Sequence, residues 1–399
     1  MAILNEIEEI LEDLKAGKCV IIVDDESREN EGDLVVAAEF ANQENINFMV
    51  KEARGIVCTP MLEEDLNRLE LPQMVMHNTD NHETAFTVSV DHVDTTTGVS
   101  PYERALTIQQ LISDKAKPSD FRRPGHVFPL KYKKGGVLIR QGHTEASIDL
   151  CRLAGLKQAS VICEITKDDG SMARLDDLIA FAKKHNLKIS SVEKLIAYRK
   201  VHEPLIELGA TSKLPTEFGD FDIYVFNNPI DNKEHLAIVK GDVRNQDDVM
   251  VRIHSECLTG DVFGSKRCDC GEQLHTALRK LEAAGQGVLV YMRQEGRGIG
   301  LTNKIKAYAL QEEGYDTVEA NEQLGFPPDM RDYFLAAQIL RFLGVKSINL
   351  LTNNPEKRDG LEHLGVTVKK RIPIIIKANK FNAGYLKTKV AKMGHILES

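Results

Sequence analysis

The sequence predicts an α/β protein of two domains: a mixed α+β domain over residues 1–200 and a largely parallel α/β domain over residues 201–399. Three observations carry this. The chain has 399 residues, long for a single hydrophobic core. Helical periodicity breaks at "HEPLIELGATSKLPTEFGD" (202–220), which holds two prolines and two glycines. Beyond that break, apolar strands and amphipathic helices alternate regularly, the pattern of a parallel sheet with crossover helices. Neither half contains an internal repeat or a low-complexity tract.

In the first half, Ile3, Ile7, Ile10 and Leu14 recur at helical spacing, and Gly17 stands where a helix would stop. "CVIIV" (19–23) and "LVVAAEF" (34–40) read as buried strands. Between them "DDESRENEGD" is longer and more charged than a hairpin needs, which points to a functional loop. Further strands are expected at "FTVSV" (86–90), "GVLIR" (136–140) and "ASVICEI" (159–165). Helices are expected at 102–114, 145–155, 175–186 and 189–200. In the second half, "VMVRI" (249–253), "GVLVYMR" (287–293) and "SINLLT" (347–352) read as strands. Helices are expected at 271–285, 303–314 and 332–344.

Composition narrows the function. The chain is 42% hydrophobic and 28% charged, with a net charge of −9. That balance disfavours a nucleic-acid partner, which would call for a basic face. No run of about 18 apolar residues suggests a membrane span. The start, "MAILNEIEEILEDLKAGK", is acidic and unlike a secretory signal. Seven cysteines, an odd number, do not form an evident disulfide framework, so a cytoplasmic protein is expected. Cys19, Cys58, Cys151 and Cys163 lie mostly in apolar runs and read as packing residues.

The other three, Cys257, Cys268 and Cys270, are spaced C-x₁₀-C-x-C within "HSECLTGDVFGSKRCDCGEQL". Closely spaced thiolates favour zinc. From spacing alone the site is a structural zinc closed by His254 or His275, a catalytic one with an open position, or simply three unrelated thiols. "RQEGRGIGLTNK" (293–304) follows at a strand–helix junction, where Gly296, Gly298 and Gly300 let backbone N–H groups approach an anion beside Arg293 and Arg297. "TNNPEKRDG" (352–360) is a second strand-end loop, carrying Lys357 and Arg358. Such loops at strand ends of one α/β domain suit a ligand crevice.

These stretches, with "DTVEAN", closely resemble GTP cyclohydrolase II over about residues 203–375. The resemblance implies a reaction that opens the imidazole ring of GTP, releases C8 as formate and expels pyrophosphate. It implies zinc on Cys257, Cys268 and Cys270, with water or substrate, not His254 or His275, in the fourth position. It implies GTP contacts from Arg252, Ile253, His254, Ser255, Glu256, Gln273, Glu295, Gly296, Arg297, Thr317, Thr352 and Lys357, with Mg²⁺ accompanying the nucleotide. Tyr308 matches a tyrosine near the reacting ring, Asp329 a general base, and Arg331 a group acting on the α-phosphate. A guanidinium, with a pKa above about 12, is a poor nucleophile, so Arg331 as a stabiliser of phosphoryl charge is the alternative. Phe334-Leu335-Ala336 departs from the family's usual Gly-Ile-Gly-like stretch and fits a helix.

In the first half, "RPGHVFPL" (123–130) and "RQGHTEASIDL" (140–150) each place a histidine beside a glycine. Carboxylates with a histidine are hard ligands suited to Mg²⁺ or Mn²⁺. With "DDESRENEGDL" and "VICEI", these stretches resemble 3,4-dihydroxy-2-butanone 4-phosphate synthase over about residues 3–199. That resemblance implies conversion of ribulose 5-phosphate to a four-carbon ketone phosphate and formate. It implies Mg²⁺ or Mn²⁺ on Glu29 and His143. The sugar phosphate would meet Arg28, Glu29, Asp33, Arg140, Gln141, Gly142, His143, Thr144 and Glu164, with His126 and Glu164 essential. Ser27 replaces the acidic residue more usual there.

Fused in this order, the halves resemble the bifunctional riboflavin-synthesis family, which implies two separate sites and a homodimer. The alternative is that one half is a scaffold and only the other is active.

Overall fold

The computed structural model describes residues 4–231, 233–327, 330–394 and 396. Ile3 and Asp329, named above, lie outside them. The chain divides into two compact units, Met1–Arg199 and Lys200–Ser399. Among the described residues no helix is long and apolar enough to cross a membrane.

The first unit has strands β1 (Val20–Val23), β2 (Gly32–Ala37), β3 (Cys58–Met61), β4 (Val90–His92), β5 (Phe121–Lys131), β6 (Ser160–Glu164) and β7 (Ile189–Ser191). They form one sheet in the order β4-β5-β3-β6-β2-β1-β7. The β3/β5 and β1/β7 pairs are parallel and the others antiparallel, the mixed α+β architecture that was expected. Both faces are covered, which is why β1 and β2 are apolar without alternation. Ile21, Val23, Leu34 and Val36 share one core with the helices Gln43–Phe48, Pro101–Leu111 and Leu175–His185. Val20, Ile22 and Val35 face the other way, onto Ile7–Lys15, His143–Leu153 and Val192–His202. Cys19, Cys58, Cys151 and Cys163 are buried and unbridged, and burial pushes the Cys19 thiol up to about 12.

Four expectations are corrected here. "FTVSV" is a strand only at Val90; Phe86 and Thr87 make single bridges to Leu130 and Gln73. Thr87 N–H donates to the Pro129 carbonyl at 3.0 Å, but Pro129 has no N–H to return, so the ladder cannot extend. "GVLIR" is a 3₁₀ turn at Gly136–Leu138 instead of a strand. Gly135 and Gly136 take φ of 98° and 64°, and Val137 N–H is taken by Asp149 Oδ2 at 2.9 Å. "LVVAAEF" leaves the sheet after Ala37 in a 3₁₀ turn. The segment 189–200, expected as one helix, begins as β7 because Ile189–Ser191 pair with Ile21–Val23.

The second unit has strands β8 (Glu207–Thr216), β9 (Gly219–Asn227), β10 (His235–Lys240), β11 (Val249–Ser255), β12 (Gly287–Met292), β13 (Ser347–Leu351) and β14 (Thr367–Ile372). Their order is β14-β13-β11-β12-β10-β9-β8. Parallel pairing holds through β14, β13, β11 and β12, and an antiparallel meander of β10, β9 and β8 extends it. The segment 202–220, read above as a break, contains β8. Most of β8 is exposed, so it has no apolar face to give a period. Phe334, Leu335 and Ala336 are buried in the helix Phe334–Phe342, as their types suggest.

Two candidate active sites

In the second unit a cleft opens at the carboxyl ends of β11, β12 and β13, where parallel sheets bind ligands. The three thiols bracket a short helix and the start of the helix Cys270–Ala284, and lie within 4.8 Å of one another. Gly260 lets them meet: a Cβ there would lie 2.9 Å from Cys268 Sγ and 3.1 Å from Cys257 Sγ. Gly260→Ala is therefore expected to weaken retention of any metal ion the three thiols hold, against a chelator, by about 10–100-fold, the range seen for changes just outside a ligand shell. Unchanged retention would show that the close packing at Gly260 does not set the geometry of the thiols.

Lys304 Nζ lies 3.1 Å from Cys257 Sγ and 2.7 Å from Glu295 Oε1. Cys257 is the thiol held ionised, by hydrogen bonds from Cys268 and Cys270 and by the Lys304 ammonium, against its burial. Bonded to that thiolate, Cys268 is pushed up to about 11. Ionising all three requires a cation among them.

Neither histidine closes the group. His254 Nε2 lies 3.1 Å from both Asp261 oxygens, and Asp261 also accepts from Tyr291 Oη and Cys257 N–H, each at 2.9 Å. Burial lowers the pKa of His254, favouring neutral imidazole. His275 stacks on Phe218, with 4.8 Å between ring centroids.

Around the thiols the cleft is lined by Arg252, His254, Ser255, Glu256, Gln273, Glu295, Gly296, Arg297, Tyr308, Thr317, Arg331, Thr352 and Lys357, all named from sequence. Ile253 is not among them; its side chain is buried and its carbonyl accepts from Lys357 Nζ at 3.0 Å. Arg252 is buried, donating to the Leu351 carbonyl at 2.8 Å and to Gln273 Oε1 at 2.5 Å; burial lowers its pKa to about 10. Gly296 and Arg297 both take left-handed backbone, φ 62° and 61°, which turns the loop back beside Glu295. Glu295 Oε2 accepts from Leu258 N–H at 2.7 Å, tying this loop to the cysteine loop. Tyr308 lies under Arg267, 5.2 Å from ring centroid to guanidinium.

In the first unit the charged loop joins β1 to β2. Buried Asp24 shapes it, accepting from Arg28 Nη1 at 2.8 Å and from the N–H groups of Glu29 and Glu31 at 3.2 and 2.9 Å. Ser27 N–H donates to Asp25 Oδ1 at 2.8 Å, so the departure at 27 closes a turn. His143 Nδ1 faces Glu29 Oε2 at 3.5 Å and Asp33 Oδ1 at 3.8 Å. His143 Nε2 and Asp33 Oδ1 are buried without a hydrogen-bond partner. Asp24, Glu29 and His143 offer ligand atoms within 4.8 Å of one another.

Burial pushes Asp33 up to about 8. For His143 burial acts downward, but Asp33 and Glu29 outweigh it and hold it at about 9. For Glu29 burial acts upward, but His143 and Arg28 bring it to about 2. Glu164 stands opposite Asp33 across β2 and β6, its Oε2 accepting from Ile56 N–H at 2.7 Å.

Gly142 precedes the helix His143–Leu153, and a Cβ on it would lie 2.4 Å from Arg140 Nη1 and 3.0 Å from Arg28 Nη2. Arg140 pairs with buried Glu145 at 2.6 Å. Thr144 is buried and Gln141 exposed. His126 stands apart from this group on β5, with β3 between it and β6; its Nδ1 lies 2.8 Å from Asp91 Oδ2.

Sequence reading missed Lys304, Asp261, Asp24 and Asp91. Three of them lie inside stretches singled out above, but nothing in the sequence marks them from neighbours of the same type. Asp91 becomes visible only when β4 pairs with β5.

A family model described as 3,4-dihydroxy-2-butanone 4-phosphate synthase matches residues 8–198, and one described as GTP cyclohydrolase II matches residues 207–373. A Bacillus cereus protein named Riboflavin biosynthesis protein RibBA is 58% identical over 393 residues, 98% of this chain and 99% of that protein. A Bacillus mycoides protein of the same name is equally similar, 58% identical over the same shares of both chains. A crystal structure described as RibBX, a two domain 3,4-dihydroxy-2-butanone 4-phosphate synthase from A. baumannii, aligns with a TM-score of 0.69 at 38% identity, covering 92% of this chain and 99% of that one. The chain thus belongs to the bifunctional riboflavin biosynthesis family, a 3,4-dihydroxy-2-butanone 4-phosphate synthase followed by a GTP cyclohydrolase II.

Proposed function

We propose that the two halves, meeting near residue 200, each run their own reaction at their own site. The carrying observation is that, among the described residues, each unit holds one tight cluster of ligand-type side chains: three thiols in the second, two acids and a histidine in the first. Soft thiolates suit Zn²⁺, and the acids with His143 suit Mg²⁺ or Mn²⁺.

In the second unit, zinc on Cys257, Cys268 and Cys270 would supply a Lewis acid and activate water for attack at C8 of GTP. The chain's own groups do the rest. Arg252, Arg297, Arg331 and Lys357, with Thr352 and Ser255, hold the triphosphate, and the left-handed turn at Gly296 offers it backbone N–H groups. Gln273, Thr317, Glu256 and Glu295 orient the nucleoside, while neutral His254 and Tyr308 border the thiols. Arg331 is best read as a stabiliser of phosphoryl charge.

In the first unit, Mg²⁺ on Glu29 and His143, with Asp24 beside them, would polarise the oxygens of ribulose 5-phosphate. Arg28, Arg140 and the N-terminus of the helix His143–Leu153, with Gln141, Gly142 and Thr144, receive the phosphate. Asp33, protonated up to about 8, and Glu164 move protons during enolisation. His126, oriented by Asp91, is a further acid–base group. We also infer a cytoplasmic homodimer without nucleic-acid or membrane partners, from the net charge of −9 and the exposed apolar Met74, Val75 and Met76.

Incubating the protein with Mg²⁺ and either GTP or ribulose 5-phosphate, and quantifying formate, tests the reading. Formate is expected from both. Release from one substrate alone would make the silent half a scaffold.

The first site also predicts a pH dependence. His143 stays protonated up to about 9, and an imidazole must lose its proton to ligate. Mg²⁺ affinity, by calorimetry, should therefore rise as pH goes from about 6.5 to 9, with proton release falling over the same window. A flat profile would remove His143 from the ligand set.

A further inference from the structure

The helix Ala383–Met393 lies past residue 373, where the match to the cyclohydrolase family model ends. It nonetheless lines the second unit's cleft through Tyr385 and Lys389. Lys389 is buried, and its Nζ donates to Asp269 Oδ1 at 2.7 Å. Asp269, itself 2% exposed, stands between two of the thiols, Cys268 and Cys270. Its other oxygen accepts from Gln273 Nε2 at 2.6 Å. Gln273 Oε1 in turn accepts from Arg252. An unbroken series of hydrogen bonds thus joins the C-terminal helix to two side chains assigned above to GTP.

The helix is tethered on both sides. Asn353, at the end of β13 and buried, exchanges two hydrogen bonds with Ile374, at 2.7 and 2.9 Å. Its carbonyl also accepts from Ile396 N–H at 2.9 Å. One asparagine therefore anchors the chain before and after the helix. In its last turn, Lys392 pairs with Asp316 and with Glu319, the latter at 2.9 Å. Those acids belong to the start of the helix Thr317–Gln323, whose Thr317 and Asn321 also line the cleft.

We propose that Lys389 is a positioning residue of the GTP site, acting through Asp269 and Gln273 on Arg252. This rests on the reading of the cleft as the cyclohydrolase site. The physical reason is orientation. Lys389 holds one oxygen of buried Asp269, which leaves the other to accept from Gln273 Nε2, and a buried carboxylate that loses a charged partner reorients toward other donors. With Lys389 in place, Asp269 fixes the amide of Gln273, so that Gln273 turns its oxygen toward Arg252. Without it, the amide and the guanidinium lose their shared register, and the nucleotide meets a misaligned pair.

The test uses the full-length, zinc-loaded protein with Lys389→Met, Lys389→Arg and the double variant Asp269→Asn with Lys389→Met. Lys389→Met is expected to raise the KM for GTP at least about 10-fold, as truncating one partner of a buried charge pair does, with a smaller fall in kcat. Zinc per chain and formate from ribulose 5-phosphate stay at the wild-type level. Lys389→Arg restores most of the loss. The double variant is less impaired than Lys389→Met, because a neutral amide no longer needs the cation. An unchanged kcat/KM in Lys389→Met overturns the proposal, and so does a loss that neither arginine nor the double variant relieves. A wild-type protein that releases no formate from GTP would instead overturn the reading of the cleft itself.

Discussion

Cys268→Ser is expected to abolish formate release from GTP and to leave release from ribulose 5-phosphate at the wild-type level. Serine keeps the size of the side chain, so the close packing of Gly260 against Cys268 survives. What it removes is a soft anionic ligand, because a hydroxyl does not ionise near neutral pH. Changes just outside a metal's ligands already cost about 10–100-fold, so removing a ligand should cost more than about 100-fold. The other reaction is spared because Cys268 belongs to the second unit and the acid–histidine cluster to the first. Formate assays on one preparation, with zinc quantified, decide it. Loss of both activities would sink the independence of the sites, and retained GTP turnover without zinc would remove the metal from the reaction.

Glu164→Ala is expected to do the reverse: formate from ribulose 5-phosphate should fall by about 10²–10⁴-fold, the contribution of a positioned acid–base group, with GTP turnover kept. Glu164 ends β6 opposite Asp33, beside the His143 cluster. Alanine also frees Ile56 N–H from its 2.7 Å bond, at a cost of about 1 kcal/mol. That should appear as a small fall in melting temperature, too small to explain the lost rate. Glu164→Gln keeps an acceptor for Ile56 but cannot take a proton, so it should restore the melting temperature and not the activity. Pentose turnover within a few-fold of wild type in either variant would exclude Glu164 from proton transfer.

The amino-acid sequence by itself determines the chemistry that travels in short stretches. The thiols at 257, 268 and 270 fall within fourteen residues, and the loops at 293–304 and 352–360 each begin at one strand end, so each group is local in the chain. The cleft gathers the thiols with most of the residues named beside them, though not Ile253, Arg293 or Arg358. The elements of the sheet cores were legible for a similar reason. A strand covered on both faces, such as β1, is apolar throughout, and a helix covered on one face shows its period.

Tertiary structure alone decided what depends on partners distant in sequence. "FTVSV" has strand composition, but Pro129 in the neighbouring strand lacks the N–H to continue its ladder. "GVLIR" is apolar enough for a strand, but Asp149, from the next helix, takes its backbone N–H. Residues 189–191 become a strand because β1 is there to pair with, and β8 carries no period because little of it is covered. The same holds in the sites. Whether a histidine joins the thiols was open from spacing; among the described residues the group is the three thiols alone, with His254 Nε2 on Asp261 and His275 stacked on Phe218. Lys304 and Lys389 look like any surface lysine in the sequence, and only folding buries one against Cys257 and the other against Asp269. Ligand types and local spacing are properties of the chain, whereas burial, pairing and the charges that face each other exist only once distant segments have packed.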